Sequence, residues 1–166
     1  MPKNIVRLVS AIFAAAIIIV AAGCAIPFDI TTQKTTIELP NTGGMYIETA
    51  IDIPETARQG NISFSEITLY YTIRKNGSVA AMVALYASTD QTADANKNDA
   101  DEKLLDVSLG ISDTEVSGSV ISAKIKEALN NKQAKFVIGA ENLSLNPLAQ
   151  ISIDLQVRFK GNYSPF

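Results

Sequence analysis

The chain has 166 residues, 47% of them hydrophobic, with 14 basic and 17 acidic side chains, a single cysteine and no histidine. That length accommodates one compact domain with a sizeable core but not two large ones. Without imidazole there is no Ser-His-Asp or Cys-His nucleophile and almost no route to a catalytic zinc site, and a net charge of −3 offers no basic footprint for nucleic acid.

The first element in chain order is a targeting segment. Lys3 and Arg7 precede Ala11 to Ala22, an uninterrupted run of small or aliphatic side chains that ends in Gly23 and Cys24. From Leu8 to Phe28 no residue is charged, a length that would also suit a retained membrane span. The run decays at once into Gly-Cys-Ala-Ile-Pro with no basic residues behind it, which favours a cleaved signal. Residues Ala21-Ala22-Gly23-Cys24 resemble the lipobox of bacterial lipoproteins, with Ala21 standing where leucine is most frequent. The resemblance covers the first 24 residues. It implies that residues 1–23 are a signal peptide, that the Cys24 thiol carries a diacylglyceryl group, and that the freed amine is often acylated as well. One acyl chain binds a bilayer marginally, whereas two or three anchor stably. Ala25, rather than aspartate, follows the cysteine, so the family rule implies the outer membrane if the source is Gram-negative. Removal of residues 1–23 takes away Lys3 and Arg7 and no acid, which moves the net charge to −5.

Residues 24–34 read as a lipidated tether and 35–166 as the folded domain. A strand is expected over Thr35–Leu39, closed by Pro40-Asn41-Thr42-Gly43-Gly44. From Met45 to Ile53 apolar side chains alternate with Tyr46, Glu48, Ala50 and Asp52, the period of a half-buried strand. Between Ile62 and Arg74 the apolar residues change phase near Glu66, which predicts a bulge. Asn76-Gly77 follows, and its turn chemistry predicts a type I′ hairpin. In that register Ile73 faces Ala80, Tyr71 faces Met82, Leu69 faces Ala84 and Ile67 faces Tyr86, which places Tyr71 and Tyr86 in the core. Val79 to Ala87 is apolar on both faces and suits the interior of a sheet. After the polar stretch Ser88–Lys103, strands are expected over Leu105–Ile111 and around Val116. Ile121, Ile125, Ala128 and Leu129 at helical spacing predict one short helix near 119–131, capped by Ser117 or Ser119 and lying across an end or edge of the sheets. Strands at Phe136–Ala140 and Ile151–Lys160 complete the body, with Gly161 to Phe166 as a tail. Seven or eight strands without βαβ rhythm define an all-β fold, an antiparallel β-sandwich of immunoglobulin-like or jelly-roll-like form.

Chemistry has few places to reside. Asp94, Asn96, Asn98, Asp99 and Asp101 supply hard oxygen ligands of the kind calcium takes, but Asp99 stands where an EF-hand needs glycine and Leu105 where it needs glutamate. A solvated loop is the alternative. Tyr46 and Tyr70 lie opposite the main apolar faces of their strands and are candidates for stacking a sugar, or simply for covering a sheet. Asp52 with Glu55, or Asp106 with Asp154, would be the carboxylate pairs of a glycosidase. Lys124, Lys126, Lys132 and Lys135 form a basic group suited to acidic lipid or polysaccharide, or to a solvated helix face. The resulting expectation is a non-catalytic binding or structural module of the bacterial cell envelope, anchored in the membrane through Cys24, with other envelope proteins or glycans as partners. The alternatives are a calcium-stabilised adhesion or carbohydrate-binding module and a carboxylate-dependent envelope enzyme. No cofactor is expected beyond calcium.

Overall fold

The computed structural model describes residues 25–40, 43–58, 60–98, 101–144 and 149–164; Cys24, Asp99 and the Asn146-Pro147 turn lie outside them. The described strands are β1 (Ile26–Thr31), β2 (Thr35–Leu39), β3 (Tyr46–Asp52), β4 (Asn61–Asn76), β5 (Ala81–Ser88), β6 (Glu102–Leu109), β7 (Glu115–Val120), β8 (Lys135–Asn142) and β9 (Gln150–Ser164), with helix α1 (Ala123–Asn130) between β7 and β8. The first sheet runs β1-β9-β4-β7, with β2 also on β9, and the second runs β3-β8-β5-β6. All pairings are antiparallel. Thr31 faces Arg158 and Thr35 faces Leu155, so β1 and β2 act as one interrupted strand. From there the chain crosses between the sheets at every connection except β5 to β6. That order is a jelly roll, two interleaved Greek keys closed into a sandwich. The β-sandwich expected from the sequence is the architecture observed, in its jelly-roll form.

The core follows the alternation. Ile151, Ile153, Leu155, Val157 and Phe159 of β9 are all fully buried, as are Leu69 and Ile73 of β4, Val83 and Leu85 of β5, and Phe136 and Ile138 of β8. The change of phase near Glu66 appears as a register shift between Phe64 and Glu66 against β9, which brings Phe64 and Ile67 to useful positions on either side of it.

Four expectations are corrected. The Asn76-Gly77 hairpin does not form: β4 lies in the first sheet beside β7 and β9, and β5 in the second beside β6 and β8. A type I′ turn needs positive φ at both central residues. Gly77 has φ 129°, whereas Asn76 does not lie in that region, and the chain arches over the end of the sandwich. Lys75 holds the arch. Its buried ammonium donates to the carbonyls of Val79 (2.7 Å), Gly110 (3.0 Å), Ile111 (3.1 Å) and Gly77 (3.2 Å), joining two connections. Secondly, residues 26–31 are not tether but an edge strand, where Pro27 is tolerated because its missing N–H has no ladder to break. Thirdly, the expected tail continues β9 to Ser164, and at Gly161 any Cβ would meet the Ser63 carbonyl and the Phe28 ring. Lastly, α1 starts later than expected, because Ser117 and Ser119 pair with β4 and the cap is Ser122, whose hydroxyl accepts the Ile125 N–H at 3.2 Å. Ile125, Ala128 and Leu129 are buried as the spacing required, while Ile121 is 73% exposed.

The sandwich has two ends. The base carries the start of β1, the end of β9, residues 53–58, Gly60 and the far end of α1. The tip carries the connections that leave Leu39, Asn76, Leu109 and Asn142.

Candidate functional site

The two outer faces, the tip and the base hold the residues singled out from the sequence that the structure describes. On the outer face of the second sheet, Tyr46 of β3 lies across β8 at Gly139, where a Cβ would collide with its hydroxyl. Tyr86 of β5 faces Gly139 from the other side, and the two rings meet edge to face at 5.8 Å. Tyr86 is therefore buried but outside the inter-sheet core, contrary to expectation, because odd-numbered residues of β5 face inward.

The acidic segment is a strap over these rings. The Tyr46 hydroxyl donates to Glu48 Oε1 (2.7 Å) and lies 3.3 Å from Asp101 Oδ2. Glu48 Oε2 accepts the Asp94 N–H at 2.9 Å, Asp94 Oδ1 accepts that of Asn96 at 2.6 Å, and Asp101 Oδ2 accepts that of Asn98 at 2.9 Å. Lys97 reaches Glu141 Oε2 at 3.0 Å and sits 5.0 Å above the Tyr86 ring, whose hydroxyl donates to the same oxygen at 2.8 Å. Burial and the neighbouring Glu48 and Asp101 carboxylates push the Tyr46 phenol far up, and burial with Glu141 raises Tyr86. Burial also works to raise the Glu141 carboxyl, but hydrogen bonds from Lys97 and Tyr86 outweigh it and hold the group below the usual range. The structure thus brings Asp94, Asn96, Asn98 and Asp101 together, with Asp94 and Asp101 each accepting a backbone N–H of the strap. Among the described residues no three Asp, Glu, Cys or His side chains form a metal-binding group. Asp101 Oδ1 is nevertheless buried without a hydrogen-bond partner. Glu48, Lys97 and Glu141 were not singled out from the sequence. The glycine in mid-strand at 139 is the signal that marks close approach there.

Tyr70 lies on the outer face of the first sheet, 38% exposed, opposite Gln156 of β9. Beside it is a shallow cleft of about 230 Å3 bordered by Lys34, Thr72, Arg74, Asp154 and Gln156. Asp154 is the hub: Lys34 (2.7 Å) and Arg74 both pair with Oδ2 and Thr36 donates to Oδ1 at 2.7 Å. Burial alone would raise this carboxyl, yet those donors hold it at about 2.

Of the proposed carboxylate pairs, Asp106 and Asp154 separate. Asp106 pairs with Lys103 on the outer face of the second sheet and Asp154 lies on the outer face of the first, so the whole sandwich stands between them. Asp52 is open to solvent and paired with Lys135 at 3.4 Å. Of the basic group, Lys124 pairs with Glu127, while Lys126 and Lys132 are exposed near the base. At the tip an open apolar groove of about 640 Å3 is lined by Val79, Met82, Leu109, Ile111 and Leu143.

No family model and no curated protein matches the chain. Among solved structures it is similar to the decameric BFDV capsid protein, at 5% identity over 84% of this chain and 100% of that one, with a TM-score of 0.42. It is also similar to the cowpea mosaic virus top component, at 12% identity over 86% and 90% of the two chains (TM-score 0.38), and to desmodium yellow mottle tymovirus, at 14% over 82% and 89% (TM-score 0.31). The class that the chain's own strand order defines is the jelly-roll β-sandwich, an architecture that hosts many unrelated functions.

Proposed function

We propose that the protein is a lipid-anchored component of the bacterial cell envelope whose jelly-roll body is a non-catalytic binding or structural module. The observation that carries this reading is the place of Cys24. The lipobox-like segment ends at Cys24, and the first strand begins at Ile26, so the cysteine stands at the border between a signal-like segment and a folded domain. Lipid attachment gives the lone thiol a purpose, and the localisation that follows is the envelope, at the outer membrane in a Gram-negative cell. The lack of histidine and the separation of Asp106 from Asp154 support a binding or structural role over carboxylate chemistry. Candidate partners are other envelope proteins at the apolar tip groove, or glycans at Tyr70. Detergent phase separation tests the anchor: wild-type protein enters the detergent phase in processed form, and Cys24→Ala yields an unprocessed or soluble product. Unchanged extraction of Cys24→Ala would overturn the proposal.

A second reading, a calcium-stabilised module, is favoured by the unsatisfied Asp101 Oδ1 beside Glu48 and Tyr46. It predicts a higher melting temperature in millimolar calcium that is lost in Asp101→Asn. An unchanged melting temperature removes it.

A further inference from the structure

The anchor and the fold together fix which end of the sandwich meets the membrane. Because β1 starts at Ile26, no ten-residue tether intervenes, and two residues of extended chain span at most about 7 Å. A lipidated Cys24 therefore holds the base against the bilayer, and this inference rests on that anchoring.

The corner of the base nearest the anchor is basic. Ile26 pairs with Tyr163, the Tyr163 ring packs under Gly60, and the Gly60 carbonyl accepts from Lys132 Nζ at 3.4 Å. A continuous line of contacts thus runs from the start of β1 to the loop that follows α1. Lys126 lies on the face of α1 turned away from Ile125, Ala128 and Leu129 and is exposed, as is Lys132. Exposed Ile26 (55%) adds apolar contact at the start of β1. The acids beside them are paired: Glu127 with Lys124 on the same helix, Asp52 with Lys135, and Glu102 with the first turn of α1. In a chain whose overall charge is negative, these lysines face the end of the sandwich at which β1 begins, and an anionic surface there attracts them.

We infer that this corner, Lys126 and Lys132 with Ile26, docks on anionic lipid headgroups, so that the module stands on its base with the tip groove facing away from the bilayer. The test uses the mature lipidated protein in vesicles of phosphatidylcholine with or without phosphatidylglycerol. A fluorophore is placed on the thiol introduced by Asn130→Cys at the base or by Ile111→Cys at the tip, and headgroup spin-labelled lipid quenches it. The expected result is flotation with the vesicles, quenching stronger at position 130 than at 111, and a several-fold gain in that excess with phosphatidylglycerol that is lost in K126E/K132E. Flotation with equal quenching at both positions, or an excess that phosphatidylglycerol does not raise or K126E/K132E does not lower, would overturn the inference and leave the anchor standing. Failure to float would overturn the anchor itself, and the inference with it.

Discussion

Tyr46 lies across β8 because position 139 has no side chain, and the ring in turn brings its hydroxyl to Glu48 and Asp101. Gly139→Ala should therefore displace Tyr46 and destabilise the protein by about 1–3 kcal/mol, the usual range for overpacking. The loss should shrink in a Tyr46→Ala background, since the two positions share one contact. Denaturant melts of the single and double variants measure this; strictly additive losses would contradict the packing account. Asp154 makes a pH-dependent contribution. Its folded value of about 2 lies below the ordinary 3.8, so the stability it adds is present above the ordinary value and is lost as pH falls through 4 towards 2. Roughly 1–2 kcal/mol is expected at neutral pH. Asp154→Asn should lower stability at pH 7 by that order and flatten the pH profile between 4 and 2, as followed by thermal melts.

At the scale of elements, alternation was the legible signal and connection geometry the illegible one. The burial of β9, the bulge at Glu66 and the interior position of β5 all follow from which residues are apolar and in what phase. β5 is apolar on both faces because the strap covers the outer one: Ala84 is fully buried there and Tyr86 nearly so. Asn76-Gly77 misled because its turn chemistry is local, whereas the choice between a hairpin and an arch to the other sheet is made by distant partners. Val116 and Val120 of β7 and the inward face of β9 take the places beside β4 that β5 would have filled. β1 was obscured by Pro27, although Phe28 and Ile30 alternate with Asp29 and Thr31 as an edge strand would. The start of α1 was misplaced for lack of a distant acid. The Glu102 carboxylate, at the beginning of β6, accepts from the Ser122 hydroxyl (2.6 Å) and from the Lys124 N–H (3.0 Å). Burial would raise that carboxyl, but these donors hold it below its ordinary range. Its contribution is present above the unfolded value and lost as pH falls through the folded one. Glu102→Gln should cost about 0.5–1.5 kcal/mol and speed amide exchange in the first turn of α1. Unaltered exchange there would contradict the capping role.

At the scale of the molecule, β9 measures the sandwich. Its 15 residues extend roughly 45 Å from base to tip. Alternation in the sequence predicted a sandwich, and the strand order resolved it into a jelly roll with distinct ends. The candidate site was legible in part: Tyr46, Asp94, Asn98 and Asp101 come together, but Glu48, Glu141 and Lys97 join them through pairings between β3, β5 and β8 that no local pattern reveals. Tyr70 stands apart on the opposite face. The account's central claim is that the body is held to the envelope through Cys24 at its base. Intact-mass and N-terminal peptide mass spectrometry of the protein extracted from membranes tests it most directly. The account predicts a chain that begins at Cys24 and carries the added mass of a diacylglyceryl group; a chain that retains residues 1–23, or an unmodified Cys24, would contradict it.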